Sequence, residues 1–319
     1  MCTAVKYKNF FGRNLDYEVS YGEKVVVISG NFPLEFRCKE TLKDHYAIIG
    51  MGAVSGGYPL FFDGMNEKGL AMAGLNFPGN CRYYPKDEEK DNIAPFEFIP
   101  WILGQCKNVS EARKLIDTMN MVNINFNKEL PLSPLHWMIS DVKESIVVET
   151  MEDGLKVYEN PVEVLTNNPP FDIMLFSLNN YMDLSTELPD NTFARKLELD
   201  TYSRGMGALG LPGDLSSQSR FIKATFTKLN SKSTGEGDLS QMFHILGAVK
   251  QQRGLVHIEK DKYEITIYSS CCDLKKGIYY YTTYHNQQIT AVDMHKCCLD
   301  GEQMTEYPLQ TRENVYRQN

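Results

Sequence analysis

The stretch "MCTAVKYKNFFGRNLD" (residues 1–16) places a cysteine directly behind the initiator methionine. Apolar and aromatic residues flank Lys8-Asn9, a polar pair that is typical of a tight turn. The stretch therefore predicts a β-hairpin with strands over residues 2–7 and 10–16. Such a hairpin returns the chain to Cys2 and brings charged residues of the second strand close to it.

The register of this hairpin decides which side chains lie beside Cys2. A two-residue turn sets Cys2 opposite Leu15 and Ala4 opposite Arg13, whereas a one-residue slip sets Cys2 opposite Asp16. Both registers are open at this point. In either one, Arg13 and Asp16 lie within two positions of Cys2 across the ladder, which long or charged side chains can span.

The chemistry of these residue types is specific if Met1 is removed. A guanidinium close to a thiol favours the thiolate, which is the nucleophilic form. A free α-amine has a pKa of about 7.7–8.0, so it can take the proton-accepting part that histidine plays elsewhere. Asp16 is placed to hydrogen-bond that amine. The alternative is a penultimate cysteine without function, in a hairpin whose charges only solvate an edge strand.

Length and charge narrow the class of protein. No linker, repeat or low-complexity tract divides the 319 residues, so we expect one domain over residues 1–319. A net charge of −8 disfavours binding to nucleic acid or to an anionic membrane surface. The chain shows no secretory signal and no apolar run of about 18 residues, which together favour a cytoplasmic protein. The eight cysteines are then expected to be reduced thiols.

The other cysteines do not have the spacing of a metal site. Cys271-Cys272 and Cys297-Cys298 are adjacent pairs, and no C-x-x-C occurs, so inert core thiols are expected and no metal is. The stretch "GMGALG" (205–210) matches a dinucleotide fingerprint, but Pro212 would break the helix that must follow it, so no nucleotide cofactor is expected. A cysteine-rich metal or redox protein is the alternative from a different functional class.

The hydrophobic pattern predicts strands at both ends of the chain and helices between them. Strands are predicted at 24–29, 45–54, 69–77, 135–140, 145–150, 162–167 and in a tyrosine-rich meander over 263–271, 277–284 and 288–294. Helices are predicted over 217–230, over 239–252 and after Ser110, which is a candidate N-cap. This order predicts an α+β fold with antiparallel sheets rather than a doubly wound parallel sheet.

Six ordered blocks of sequence resemble the signature blocks of the choloylglycine hydrolase family. They are "MCT" (1–3), "FGRNLDYE" (11–18), "GMNEKGLAMAGLNFP" (64–78), "LHWMISD" (135–141), "VLTNNPPF" (164–171) and "LPGDLSSQSRF" (211–221). The family comprises N-terminal-nucleophile amidases, namely bile salt hydrolases and penicillin V acylases. The resemblance implies a four-layer αββα sandwich of two stacked, mainly antiparallel sheets, without metal or cofactor. It also implies a conjugated bile acid substrate and a homotetramer.

Carried over position by position, the resemblance implies a site of six residues with separate roles. These are Cys2 as nucleophile and base once Met1 is removed, Arg13 beside the thiol, Asp16 on the α-amine, Asn76 at the oxyanion, Asn167 on substrate and amine, and Arg220 around the nucleophile. Without the family, Asn76 and Asn167 fit turn residues and Arg220 fits a solvated helix position. The hairpin is a few residues shorter than in many bile salt hydrolases, which implies a shorter tip with catalysis intact.

The sequence also bears on the branch of the family and on the substrate pocket. Asn76 favours the bile salt branch, because penicillin acylases of this family tend to carry tyrosine there. Residues 56–65 and 121–134 are predicted to be two apolar loops that wall the pocket of a flat steroid amide; alternatively their apolar residues enter the core. Penicillin V acylase and amine N-acyltransferase activities are the alternatives with related chemistry.

Overall fold

A computed structural model describes residues 1–319 and contains 17 strands, five helices and short 3₁₀ turns. The strands are β1 (Cys2–Tyr7), β2 (Phe10–Tyr17), β3 (Lys24–Ile28), β4 (Ile48–Ser55), β5 (Tyr58–Asn66), β6 (Ala71–Asn76), β7 (Asp91–Ile93), β8 (Met119–Met121), β9 (Leu135–Ser140), β10 (Ser145–Met151), β11 (Gly154–Glu159), β12 (Val164–Leu165), β13 (Val256–Glu259), β14 (Lys262–Asp273), β15 (Ile278–Thr283), β16 (Thr290–Asp293) and β17 (Met304–Pro308). The helices are α1 (Phe98–Gln105), α2 (Val109–Ile116), α3 (Phe171–Ser177), α4 (Ser217–Asn230) and α5 (Asp238–Gly247).

Two large antiparallel sheets carry most of the strands. The first has the order β12-β1-β2-β14-β15-β16, with β13 paired to β14, and the second has the order β11-β10-β9-β6-β5-β4-β3-β17. Strands β7 and β8 form a separate parallel pair. Because β1 lies between β12 and β2, the start of the chain is held inside the first sheet rather than at its edge.

The sheets are stacked and covered by helices on both outer faces. Helices α4 and α5 contact β1, β2 and β14 of the first sheet, and α1 contacts β4, β5 and β6 of the second. One buried cluster joins the inner faces of both sheets with α4 and α5, and a second joins the outer face of the second sheet with α1 and α2. The predicted α+β class and αββα layering are confirmed. None of the helices has the length and apolar character needed to cross a bilayer.

Several elements follow the sequence pattern closely. Helix α4 and strand β9 have the predicted bounds, and α5 begins one residue before the predicted helix and ends five residues before its predicted end. The tyrosine-rich meander forms β14, β15 and β16 of the first sheet. Helix α4 has apolar residues at helical spacing, and the strands are rich in apolar and aromatic residues, so both patterns can be recognised without tertiary information.

Two local predictions are wrong. The N-cap of α2 is Asn108, whose side chain accepts a hydrogen bond from the backbone N–H of Glu111 at 2.9 Å, so Ser110 lies inside the helix. Both residues are suitable N-caps, and the helix begins at the earlier one. Residues 56–65 are not a loop. Gly56 and Gly57 form a tight turn, and the rest of the segment belongs to strand β5. Residues 121–134 do lie largely outside regular structure.

Strand β5 corrects the predicted pocket wall. Its Phe61 and Met65 are buried in the core clusters, so for these two residues the alternative that they enter the core is confirmed. The proline in this segment is typical of a loop, but pairing to β4 and β6 overrides that local preference. The segment therefore serves the site through its backbone and through Asp63, as described below.

Candidate active site

The N-terminal hairpin has the register predicted for a two-residue turn. Cys2 pairs with Leu15 and Ala4 pairs with Arg13. Because side chains alternate across a strand, Cys2 and Arg13 share the face that points toward the second sheet. Cys2 is buried, with 4% of its surface exposed. Arg13 reaches the Cys2 thiol, and the role predicted for it in catalysis stays a prediction.

Arg13 links the thiol to the second sheet. Its Nη2 donates to the Cys2 Sγ at 2.6 Å, and its Nη1 donates to the carbonyl oxygens of Gly74 at 2.8 Å and Phe62 at 3.1 Å. The guanidinium is buried and is held in one orientation by these acceptors. A fixed cation in contact with sulfur favours the thiolate, the form that attacks a carbonyl carbon.

A buried carboxylate stands behind the guanidinium. Asp63 Oδ2 lies 3.9 Å from Arg13 Nε and accepts a hydrogen bond from the Tyr268 hydroxyl at 2.6 Å. Its Oδ1 accepts from the hydroxyls of Tyr279 at 2.5 Å and Ser270 at 3.2 Å. Burial raises the pKa of Asp63, while Arg13 and the three hydroxyls oppose that rise. Sequence reasoning missed this group, because β5 approaches it only through the stacking of the sheets.

Asn167 and Arg220 hold the main chain at Cys2. The Cys2 N–H donates to Asn167 Oδ1 at 2.8 Å, and Arg220 Nη2 donates to the same oxygen at 2.8 Å. Arg220 Nη1 donates to the Cys2 carbonyl oxygen and to the Thr3 hydroxyl, both at 2.6 Å. Burial lowers the pKa of Arg220, and Asp16 and Cys2 oppose that change. Arg220 is therefore a buried residue of the site and not a solvated helix residue.

Asp16 completes this buried group on the side of the chain terminus. Its Oδ1 accepts from the Thr266 hydroxyl at 2.6 Å, and its Oδ2 lies 3.8 Å from Arg220 Nη1 and accepts no hydrogen bond. Burial raises the pKa of Asp16, and Arg220 opposes that rise. A buried carboxylate oxygen without a donor is costly, so it marks a place where a further donor would be bound favourably.

Met1 occupies the entrance to this group. Its ammonium donates to the backbone oxygen of Asp16 at 2.5 Å and to Glu264 Oε1 at 2.8 Å. While Met1 is attached, the nitrogen of Cys2 is an amide and cannot accept a proton. Removal of Met1 would turn that nitrogen into an amine beside the Asn167 oxygen and within the cluster that contains Asp16. Sequence reasoning did not identify Glu264 or Thr266 as part of this group.

Asn76 lies where the second sheet meets the hairpin, at the last residue of β6. Its carbonyl oxygen accepts from Asn167 Nδ2 at 2.7 Å, while its own half-buried side chain makes no hydrogen bond within the chain. The carboxamide is therefore free to donate to an incoming oxygen. All six residues predicted for the site thus lie in one connected group at the facing ends of the two sheets.

The remaining cysteines and acidic residues form no second centre. All eight cysteines are free thiols, and no group of three or more His, Cys, Asp or Glu side chains is arranged to hold a metal ion. The six predicted site residues supply one thiol, two guanidiniums, one carboxylate and two carboxamides. Such a set can bind an amide carbonyl, attack its carbon and stabilise the oxyanion that forms.

Comparison with protein families gives a match over nearly the whole chain. Residues 1–307 match the family described as linear amide C–N hydrolases, choloylglycine hydrolase family. A bile salt hydrolase/transferase of Lactiplantibacillus plantarum is 56% identical over 324 aligned residues and covers 100% of both chains.

Two solved structures show how far the fold extends. A variant of the conjugated bile acid hydrolase of Clostridium perfringens superposes with a TM-score of 0.94 at 38% identity over 100% of both chains. The penicillin V acylase of Agrobacterium tumefaciens superposes with a TM-score of 0.73 at 19% identity over 98% of this chain and 92% of that one. The second likeness shows the shared fold alone.

Proposed function

The chain belongs to the choloylglycine hydrolase family, whose members hydrolyse linear C–N amide bonds, and we propose that its substrates are conjugated bile acids. The 56% identity to a bile salt hydrolase/transferase over the full length supports this substrate class. The observation that carries the proposal is the contact of Arg13 Nη2 with the Cys2 Sγ at 2.6 Å, inside a cluster that also holds the Cys2 nitrogen. Once Met1 is removed, Cys2 would supply both the nucleophile and the base from one residue.

The reaction begins once Met1 has been removed. The α-amine of Cys2 accepts the thiol proton, and the Sγ forms a bond to the carbonyl carbon of the substrate amide. The carbonyl oxygen becomes an oxyanion, toward which the free carboxamide of Asn76 donates. The C–N bond then breaks, and the leaving glycine or taurine nitrogen takes the proton from the α-ammonium. A thioester between the bile acyl group and Cys2 results.

Water completes the turnover. The α-amine takes a proton from a water molecule as its oxygen bonds to the thioester carbon, and the C–S bond breaks to return the thiol. Asp16 and Asn167 hold the α-amine in place through both steps, and Arg220 fixes Asn167 and the Cys2 carbonyl. One preorganised oxyanion donor lowers the activation barrier by about 3 kcal/mol, so Asn76 is expected to accelerate both steps.

The substrate proposal is tested by a side-by-side assay of glycocholate, taurocholate and penicillin V. We expect either bile salt to be cleaved with a kcat/KM at least about tenfold above that for penicillin V, which corresponds to about 1.4 kcal/mol of discrimination. Cleavage of penicillin V alone would assign the chain to the acylase branch. The position of Asn76, where penicillin acylases tend to carry tyrosine, favours the first outcome.

The role of the free α-amine is tested by controlling the first residue. A fusion partner cleaved directly before Cys2 yields the mature terminus, and the same fusion cleaved before Met1 yields the blocked one. We expect hydrolysis only by the protein that begins at Cys2. A thermal transition in each protein shows that both are folded, and mass spectrometry verifies both termini. Equal activity from a chain that keeps Met1 would remove the amine from the mechanism.

Acyl transfer to an amine is a second candidate activity of the same site. The relatives from L. plantarum and C. perfringens both carry the name bile salt hydrolase/transferase, and the thioester can be attacked by an amino acid in place of water. Incubation of cholate conjugates with a free amino acid should then yield a new conjugate in a mass spectrum. Its absence at high amino acid concentration would limit the chain to hydrolysis.

We propose further that four copies assemble, as the family resemblance implies. The segment between α3 and α4 exposes large apolar side chains, including Phe193 at 83% and Tyr202 at 82%, and Phe176 on α3 is 73% exposed. Contact with further copies of the chain would cover these side chains, since exposed apolar side chains that form one patch mark interaction surfaces. Light scattering of wild type and of Phe193→Ser with Tyr202→Ser tests this, and a monomeric wild type would refute it.

The remaining expectations concern the chain as a whole. One domain over residues 1–319 is supported by the pairing of β3 with β17, which joins opposite ends of the chain in one sheet. A cytoplasmic location is supported by eight thiols without a disulfide among them. A single calorimetric transition and fractionation of the producing cell are the respective measurements.

A further inference from the structure

A histidine and a glutamate lie side by side directly beneath the two asparagines of the site. His136 is on β9 and Glu149 is on β10, and neither side chain is accessible to solvent. Nothing in the reaction described above uses them. A buried pair of titratable groups costs free energy to desolvate, so contacts with other groups must compensate for that cost.

The imidazole contacts one oxygen atom at each ring nitrogen. His136 Nδ1 lies 2.9 Å from Glu149 Oε1, and His136 Nε2 lies 2.8 Å from the carbonyl oxygen of Thr166. A carbonyl oxygen never donates, so Nε2 carries a proton and donates it to Thr166. Both oxygens of Glu149 also face the N–H of Phe171, at 3.2 and 3.3 Å. Glu149 therefore joins the Nδ1 side of the ring to the start of α3.

The same ring is in contact with both asparagine-bearing segments. Thr166 immediately precedes Asn167, so the Nε2 bond fixes the main chain that carries the Asn167 side chain. The imidazole also stacks on Phe77, which follows Asn76, with ring centroids 4.3 Å apart and planes 4° from parallel. Asn167 Nδ2 in turn donates to the Asn76 carbonyl oxygen at 2.7 Å. One rigid ring therefore sets the relative position of Asn76 and Asn167.

We propose that His136 and Glu149 are positioning residues for the Asn76–Asn167 pair. Glu149 holds Nδ1 and the start of α3, and the proton on Nε2 holds Thr166. The inference rests on the proposed acyl transfer, because it assigns the pair to the end of the site where the oxyanion is stabilised. It predicts a loss in the chemical steps rather than in substrate binding.

The first test is a pair of matched substitutions on one strand. His136→Phe keeps the stacking ring and removes both hydrogen bonds, whereas Trp137→Phe trims a buried side chain on the opposite face of β9. We expect His136→Phe to lower kcat about 10- to 100-fold with KM changed less than about threefold, in line with partial misplacement of an oxyanion donor. Trp137→Phe should change kcat less than about threefold while lowering the thermal transition.

A kcat for His136→Phe within threefold of the Trp137→Phe value would overturn the positioning role. The comparison uses whichever amide the wild type cleaves best. Failure of the proposed function would therefore appear as hydrolysis of penicillin V instead of bile salts, and the ratio between the two variants would still decide this inference.

The second test needs no active variant and addresses the hydrogen bond of Nε2 directly. Wild-type protein labelled with ¹⁵N-histidine should show, for His136, a directly bonded proton on Nε2. The His136→Phe spectrum assigns the signals, or selective ¹⁵N labelling with His136→Gln does so if the first variant does not fold. A bare Nε2 in the His136 ring would refute its hydrogen bond to Thr166 and with it the positioning role.

Discussion

Cys2 and Cys272 occupy comparable positions and differ in the charge beside them. Both lie in the first sheet, opposite Leu15 and Phe11 of β2, and alternation places them on the same face of that sheet. Both are buried, with 4% and 1% of their surface exposed. Burial alone therefore does not distinguish the two thiols.

The surrounding charges do distinguish them. Arg13 contacts the sulfur of Cys2 at 2.6 Å, whereas Cys272 has Asp63 and Asp273 as its nearest charged influences. Burial raises the pKa of Cys272 well above that of an ordinary thiol, and both carboxylates raise it further. A buried thiol is thus inert by default, and a cation in contact with it reverses that outcome.

Exchange of each cysteine for alanine gives the largest expected contrast. Cys2→Ala removes the nucleophile, so hydrolysis of glycocholate should fall by at least about 10⁴-fold with the thermal transition retained. Cys272→Ala leaves the site intact and should keep kcat/KM within about threefold, at a cost of about 1–2 kcal/mol in the free energy of unfolding. Residual activity in Cys2→Ala near the wild-type value would break the comparison.

A change in the cation should have the next largest effect. Arg13→Lys keeps a positive charge, but one ammonium cannot reach the Cys2 sulfur and the carbonyl oxygens of Phe62 and Gly74 in the same way. We expect a 10- to 100-fold lower kcat/KM and a similar fall in the rate at which iodoacetamide alkylates Cys2. Lys6→Arg, at a buried lysine of the same hairpin, is the control and should leave the alkylation rate unchanged. A wild-type alkylation rate in Arg13→Lys would contradict the electrostatic explanation.

The contrast between the two cysteines also shows what the sequence could predict. The turn at Lys8-Asn9 is sufficient to predict that Arg13 lies near Cys2, because this holds in either register. The register itself is left open by the residues, and the structure has the one of the two-residue turn. Asn167 and Arg220 were placed by family resemblance, because their pattern alone fits a turn and a surface helix. Asp63 lies beyond what local pattern can predict, because residues 56–65 resemble a loop in sequence and the contact of Asp63 with Arg13 arises only when the two sheets stack. The catalytic roles themselves stay predictions.

The hydroxyl groups that donate to Asp63, behind Arg13, allow a test with a smaller expected effect. Tyr279→Phe removes one donor to Asp63 Oδ1 and leaves Arg13 in contact with the sulfur. A hydrogen bond to a buried charge contributes about 1.5–3 kcal/mol, so we expect a loss of that size in urea unfolding. The kcat/KM should fall less than about tenfold. Tyr280→Phe, on the neighbouring position of β15, is the control and should cost less.

The buried thiols of Cys271 and Cys272 should change how the free energy of unfolding depends on pH. This is the smallest expected effect of the series. Burial raises the pKa of Cys271 and Cys272 well above the value of about 8.5 that a thiol has in an unfolded chain. Each thiol therefore contributes stability that is complete below about pH 8.5 and is lost as the pH rises toward its folded pKa, because only the unfolded state releases the proton. Between pH 8.5 and 9.5 the loss is about 1 kcal/mol per thiol.

The double variant Cys271→Ala with Cys272→Ala tests this dependence. Its free energy of unfolding should fall correspondingly less over this pH range than that of wild type. Cys298→Ala, which removes an exposed thiol, is the control and should keep the wild-type slope. Equal slopes for the double variant and wild type would mean that these two buried thiols ionise in the folded sheet, and the proposed contrast between them and Cys2 would then fail.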